Sequence, residues 1–137
     1  MQTLSLFPSL LDFQMLGIFM IRVTLGFIFV YFWYEKVTHQ RAERIHFFEK
    51  LGLRPARVYF GVVSSIEGIA GVLLVVGIYT QGAVLVTGTL MLIATLIKWR
   101  NPSALPRNTI EFYIILAVAS FALLFLGAGA FAIDLPL

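Results

Sequence analysis

At 137 residues the chain has room for one domain, and 60% of it is hydrophobic while only 12% is charged, against roughly 45–50% and about 25% in soluble domains. A mean hydropathy of +0.94 excludes a disordered chain, a nucleic-acid-binding module and an ordinary soluble enzyme, because a soluble fold of this size cannot hide so much apolar surface. Ten Lys and Arg against seven Asp and Glu leave a net charge of +3, and the lack of cysteine removes disulfides, thiol relays, Cys-ligated zinc and iron–sulfur clusters.

The charges are concentrated. Nine of the seventeen lie between residues 35 and 57, and the remainder of the chain divides into long apolar runs. The first, 13–34, carries one charge, Arg22; the second, 58–78, carries one, Glu67; the runs 79–97 and 112–133 carry none. A bilayer core takes about 20 residues of helix, and each run suffices. The pattern predicts an all-α integral membrane protein: a single-domain four-helix antiparallel bundle with helices at about 10–36, 58–78, 80–98 and 109–131. The first run is read as part of the mature protein, since residues 1–12, which precede it, hold no Lys or Arg of the kind that opens a signal peptide. Ser9-Leu10-Leu11-Asp12 and Asn108-Thr109-Ile110-Glu111 both have capping-box spacing and predict helix starts near Leu10 and Thr109.

Short loops rich in Lys and Arg stay cytoplasmic. Lys36, Arg41, Arg44, Lys50, Arg54 and Arg57 lie between the first two predicted helices, and Lys98, Arg100 and Arg107 between the last two. The opposite loops hold none. The expected location is the cytoplasmic (inner) membrane, multi-pass, with both termini outside and both basic loops inside. Within the first loop Ile45, Phe48 and Leu51 recur at helical spacing among Arg41, Glu43, Arg44 and Lys50, which predicts a short amphipathic helix at about 40–51 lying on the inner membrane surface. His39, Glu43 and His46 are spaced as metal ligands could be, but a solvated polar face explains them as well, and no metal is assigned.

An ionisable residue near the bilayer centre costs at least about 2.5 kcal/mol on insertion scales, so it faces the protein interior with a partner. Arg22 and Glu67 are the two candidates, and measuring depth from the centres of their runs puts them within reach of each other. The expectation is an intramembrane ion pair, read either as a clasp that fixes helix register or as part of a site. Arg22, Gly26, Phe29, Trp33 and Lys36 share one helix face, joining a mid-membrane cation to one at the cytoplasmic edge. Glu111 is expected at that edge, either as a helix cap or paired with Lys36, Lys98 or both. Arg22, Glu67, Lys36 and Glu111 thus form the candidate charge cluster, with a cavity expected beside it between the first, second and fourth predicted helices. Gly61, Ser64, Ser65, Gly68 and Gly71 give the second of these a small-residue stripe suited to close packing.

Taken in order, these features resemble the DoxX family of small four-helix membrane proteins. They are the Arg in the first half of helix 1, Phe48-Glu49-Lys50-Leu51-Gly52-Leu53 ahead of Pro55, Glu67-Gly68-Ile69-Ala70-Gly71, Gly77-Ile78-Tyr79-Thr80-Gln81, Glu111, and the closing Gly127-Ala128-Gly129-Ala130-Phe131-Ala132-Ile133-Asp134. The resemblance spans residues 16–134. It departs from the family where Phe32-Trp33-Tyr34-Glu35 precede the lysine in place of a glycine, and where Ala128 stands in place of a proline. The family is allied with DoxD, a membrane subunit of archaeal thiosulfate:quinone oxidoreductase. The resemblance therefore implies a membrane subunit of a quinone-linked oxidoreductase or detoxification system, in which Arg22, Lys36, Glu67 and Glu111 bind a quinone head group or carry protons. Both histidines fall in the first loop and no flavin or nucleotide motif is present. Electrons would then come from a soluble or membrane redox partner or a diffusible quinone. The alternative is a non-catalytic membrane protein that binds a lipid or small apolar molecule, or scaffolds a partner through its basic loop. Expected partners are the lipid bilayer, a quinone and a redox protein, with no nucleic acid; the oligomeric state is left open.

Overall fold

The computed structural model describes residues 7–105 and 107–134, and among them every regular element is helical. A 3₁₀ turn at Pro8–Phe13 leads into α1 (Gln14–Thr38); α2 (Arg41–Lys50), α3 (Ala56–Val76), α4 (Thr80–Arg100) and α5 (Ile110–Leu126) follow. The segment 9–38, α3 and α4 are long and apolar enough to cross a membrane. With 17 residues, α5 is apolar but only about 25 Å long, short of a hydrocarbon core of about 30 Å.

The ends of these helices have local causes. Pro55, which lacks an N–H, occupies the N-cap of α3, where backbone donors have no acceptor in the helix. Gly77 terminates α3 in the left-handed region at φ +78°, with its N–H and that of Ile78 both donating to the Leu73 carbonyl. Tyr79, also at positive φ, completes the turn, and α4 begins at once with Thr80. After α4, Lys98 Nζ donates to the carbonyls of Pro102 and Leu105 and ties down the second basic loop.

Two expected boundaries move. The Ser9 capping box forms no side-chain cap: the chain makes the 3₁₀ turn first, and α-helix begins only at Gln14. The last helix stops at Leu126, five residues before the expected end, because Gly127, Gly129 and Phe131 all take positive φ and turn the chain back. The returning tail bonds backbone to backbone, Ala130 N–H to Met15 O and the N–H groups of Ile133 and Asp134 to Gly77 O.

Packing follows the small residues. α1 lies chiefly on α3 and α5 chiefly on α4, with α3 and α4 joining the two pairs. At the α1–α3 crossing a Cβ on Gly26 would come within 2.7–2.9 Å of Val75 and the Gly71 carbonyl, so only glycine permits the approach. Across α4 and α5, Gly88 receives the Phe121 ring, and the buried Thr87 hydroxyl bonds Ala83 O and Ser120 Oγ. Phe29, Leu74, Val84 and Leu123, all at 0% exposure, form the centre of the core.

Candidate functional site

The Gly26–Gly71 crossing sets the register of α1 against α3, and with it the partners of every charge on α1. Arg22 lies one turn before Gly26, level with the last turn of α3. Its Nη1 donates to Leu74 O at 3.0 Å and its Nη2 to Ala130 O at 3.1 Å in the returning tail. The Phe19 ring centroid lies 5.4 Å from the guanidinium carbon. Arg22 is wholly buried, and a side chain on Gly77 would collide with it.

Asp134 extends this arrangement beyond the helices. Its carboxylate accepts from Tyr79 N–H at 2.8 Å and Thr80 N–H at 2.6 Å, at the head of α4. Burial opposes its ionisation, but the Thr80 and Tyr79 amides and the Arg22 charge together outweigh that and hold its carboxyl below the usual aspartate value. An anion at a helix N-terminus is also favoured by the exposed amides there.

The expected pair between Arg22 and Glu67 does not form. Run centres are a poor measure of depth when one helix overshoots the other, and here the glycine contact sets the register. Glu67 is level with Trp33 and Lys36, roughly three to four turns of α1 away from Arg22. Trp33 stacks over Gly68, where an added Cβ would lie 2.8 Å from its ring. One turn on, Lys36 Nζ meets Glu67 Oε2 at 2.5 Å, with Glu67 1% and Lys36 20% exposed. The other carboxylate oxygen, Glu67 Oε1, is buried and has no hydrogen-bond partner among the described residues.

Beside this pair lies a cavity of about 280 Å³. Its walls come from α1, α2, α3, α4 and the start of α5, and are mostly apolar: Phe32, Phe47, Phe60 and Met91 are typical. Polar groups gather at one end. Glu35 accepts from Arg107 at 2.7 Å, Arg44 donates to the buried Gln40 side chain, and Asn108 Nδ2 donates to the Tyr113 hydroxyl at 3.5 Å. The cavity thus joins an apolar chamber to an ion pair and a polar rim, the combination that small-molecule sites show.

Of the four residues singled out from the sequence, Lys36 and Glu67 line this cavity and touch each other, while Arg22 and Glu111 do not line it. Glu111 stands exposed in the first turn of α5 and pairs with neither Lys36, which holds Glu67, nor Lys98, which holds loop carbonyls. Its place in the first turn suits the helix dipole. The cavity also differs from expectation in its walls, since α4 and α2 contribute as well as α1, α3 and α5. Glu35, Gln40, Arg44, Asn108, Arg107 and Tyr113 were not anticipated. The signal for Tyr113 was visible in part, as a phenol two residues after Glu111 on an otherwise apolar helix. His39 follows α1 and bonds Thr38, while His46 on α2 faces Glu49 at 3.5 Å; no metal-ligating cluster occurs among the described residues.

A protein-family model described as DoxX matches residues 17–99, more than half of the chain. Neither the curated proteins nor the solved structures searched contain a match. The matched span includes both members of the Lys36–Glu67 pair and most of the cavity wall.

Proposed function

Because the chain belongs to the DoxX family and folds into apolar helices of membrane-crossing length, it is an integral membrane protein, and we propose that it is the membrane subunit of a quinone-linked oxidoreductase or detoxification system. In this reading all four apolar helices span the bilayer. The termini are outside and both basic loops face the cytoplasm, where α2 lies at the inner membrane surface.

The observation that carries the proposal is Glu67 Oε1, a buried acceptor left without a partner next to a largely apolar cavity. A buried polar atom of this kind costs stability unless something occupies the site and donates to it. Lys36 Nζ has three donors, of which Glu67 Oε2 takes one. The pair therefore offers an acceptor and a spare donor side by side. A ligand with one oxygen that accepts and one hydroxyl that donates satisfies both, and a quinone and its quinol present those two groups in turn.

When bound, a quinone would supply the two-electron carrier that the chain's own residues lack. Lys36 would hold the ligand oxygen and bias it towards accepting negative charge. Glu67 would take a proton from a ligand hydroxyl at Oε1, with Lys36 stabilising the carboxylate. The apolar walls would exclude water, which strengthens both interactions. Electrons would pass to or from a partner protein. The exposed Arg41 and Lys50 of α2 offer a place on the cytoplasmic side for that partner.

The test is organic extraction and mass spectrometry of the purified protein. The expected result is a co-purifying quinone that is lost from Glu67→Gln. A tightly held phospholipid with no redox-active species would sink the proposal and favour the lipid-binding alternative. Orientation is tested separately with single cysteines at His46 and Asp12, both exposed. They should be labelled from opposite faces of the membrane, and labelling from the same face overturns the topology.

A further inference from the structure

α1 packs on α3 and α5 on α4, so the seam between α1 and α5 is the looser one. On its outer side Thr24, Phe27, Ile28, Tyr31 and Phe32 of α1 form a groove with Phe112 of α5. Phe27 and Tyr31 are about 60% exposed, as lipid-facing groups are. Phe32 lines both this groove and the inner cavity. Its ring meets Phe112 edge-on with centroids 5.5 Å apart, Phe112 meets Tyr113 at 6.1 Å, and Tyr113 lines the cavity. The edge-to-face rings of Phe32 and Phe112 thus stand between the groove and the cavity at this level. The Lys36 ammonium sits 5.9 Å from the centroid of the same Phe32 ring.

We propose that the α1–α5 seam is a lateral portal, and that the groove outside it holds the long alkyl or isoprenoid tail of the ligand whose polar head occupies the cavity beside Lys36 and Glu67. The inference rests on the head-group reading above and adds the ligand's second half. About 280 Å³ admits a single ring and its substituents but not a long chain. A tail attached to a head in that cavity must leave it, and Phe32, which lines both the cavity and the groove, marks a way out. From Phe32 to Thr24 the groove runs roughly 12 Å along α1 towards the middle of the helix, so a tail lying in it runs parallel to the neighbouring lipid chains. The ligand class that fits is a bilayer-soluble amphiphile with one flat polar head and one apolar tail. It enters sideways, without crossing water, when the Phe32 or Phe112 ring turns aside.

The experiment compares a tail-less benzoquinone with the same head carrying a decyl tail, each titrated into the nanodisc-reconstituted protein and read by quenching of tryptophan fluorescence. Thr24→Trp fills the groove from the lipid side, and Val118→Trp, on the lipid-facing side of α5 outside the groove, serves as the control. Thr24→Trp should weaken the tailed probe about tenfold, as losing the burial of one or two methylenes would, and leave the tail-less probe unchanged. Val118→Trp should change neither. Phe112→Ala, which removes half of the ring wall, should speed association of the tailed probe. Equal binding of both probes by the parent protein overturns the groove while leaving the head-group site standing, as does an unchanged tailed affinity in Thr24→Trp. Failure of both probes to bind the parent overturns the head-group reading and the groove with it.

Discussion

The two ends of α1 each bury a cation, and they are finished in opposite ways. At the Arg22 end both terminal nitrogens of the guanidinium are bonded to backbone carbonyls, the tail folds over it, and Asp134 anchors that tail to the start of α4. At the Lys36 end a single carboxylate oxygen holds the ammonium, its twin is unpartnered, and a cavity opens alongside. A buried charge is therefore not by itself a sign of a site. Nor is an unpartnered atom by itself such a sign, since Arg22 Nε and Thr80 Oγ1 are buried without a partner among the described residues, as Glu67 Oε1 is; what sets the Lys36 end apart is the cavity that its ion pair lines.

The largest expected effect is at the finished end. Arg22→Met removes two charge-assisted hydrogen bonds and orphans the buried Leu74 carbonyl and the partly buried Ala130 carbonyl, which should cost roughly 3–5 kcal/mol. It should lower the melting temperature in detergent sharply and free the tail to proteolysis. A stable variant with a protected tail would show that the Arg22 end is held by packing alone. Next comes the crossing that separates the two ends. Gly26→Val forces a side chain against Val75 and the Gly71 carbonyl, an overpacking worth about 1–3 kcal/mol. Since the crossing sets the register for both ends, it should weaken ligand retention as well as stability, and a loss confined to stability would separate the two.

At the open end the effects on stability are smaller and those on binding larger. In a double-mutant cycle Lys36→Met and Glu67→Ala should couple by roughly 0.6–1.7 kcal/mol, the range for polar pairs in bilayers, whereas Arg22→Met with Glu67→Ala should be additive. Lys36→Met alone should lose most bound ligand while melting near the parent temperature; the reverse outcome would make the pair a clasp. The smallest effect is that of Asp134. Its folded carboxyl is held below the ordinary aspartate value, so its contribution to stability is complete above that value and is lost as the pH falls through the lowered one. The melting-temperature gap between the parent and Asp134→Asn should therefore hold from neutral pH down to about pH 5 and close below about pH 4. A gap that persists in stronger acid would mean that the Asp134 charge does not anchor the tail.

Much of the architecture was legible because hydropathy reports solvent directly. The apolar runs located α1, α3, α4 and α5, and the spacing of Ile45, Phe48 and Leu51 located α2 within a residue of each end. The boundary near 126 was missed because Ala, Phe and Ile after Gly127 read as continuing helix by hydropathy, while the positive φ of Gly127 and Gly129 is a tertiary outcome of docking on Met15 and Gly77. Within the site, Lys36 and Glu67 could be singled out because charge in an apolar segment is costly. Their pairing could not, since it depends on a helix register that a glycine contact decides and no periodicity reports. Gln40 and Asn108 escaped for a different reason: polar residues in a loop look alike until the fold turns some of them inward.

The bond between Arg22 and Ala130 joins residues 108 positions apart. At ordinary rates of synthesis, roughly 5–20 s pass between the appearance of one partner and the other. Throughout that interval α1 holds a guanidinium without its full complement of acceptors. Leu74 becomes available first, once α3 is made and docks through its glycines, and the tail comes last of all. The chain thus has a built-in order of assembly in which residues 130–134 are added to α1 after α3 has docked on it. Until they emerge from the ribosome, the Arg22 guanidinium has only the Leu74 carbonyl of its two acceptors.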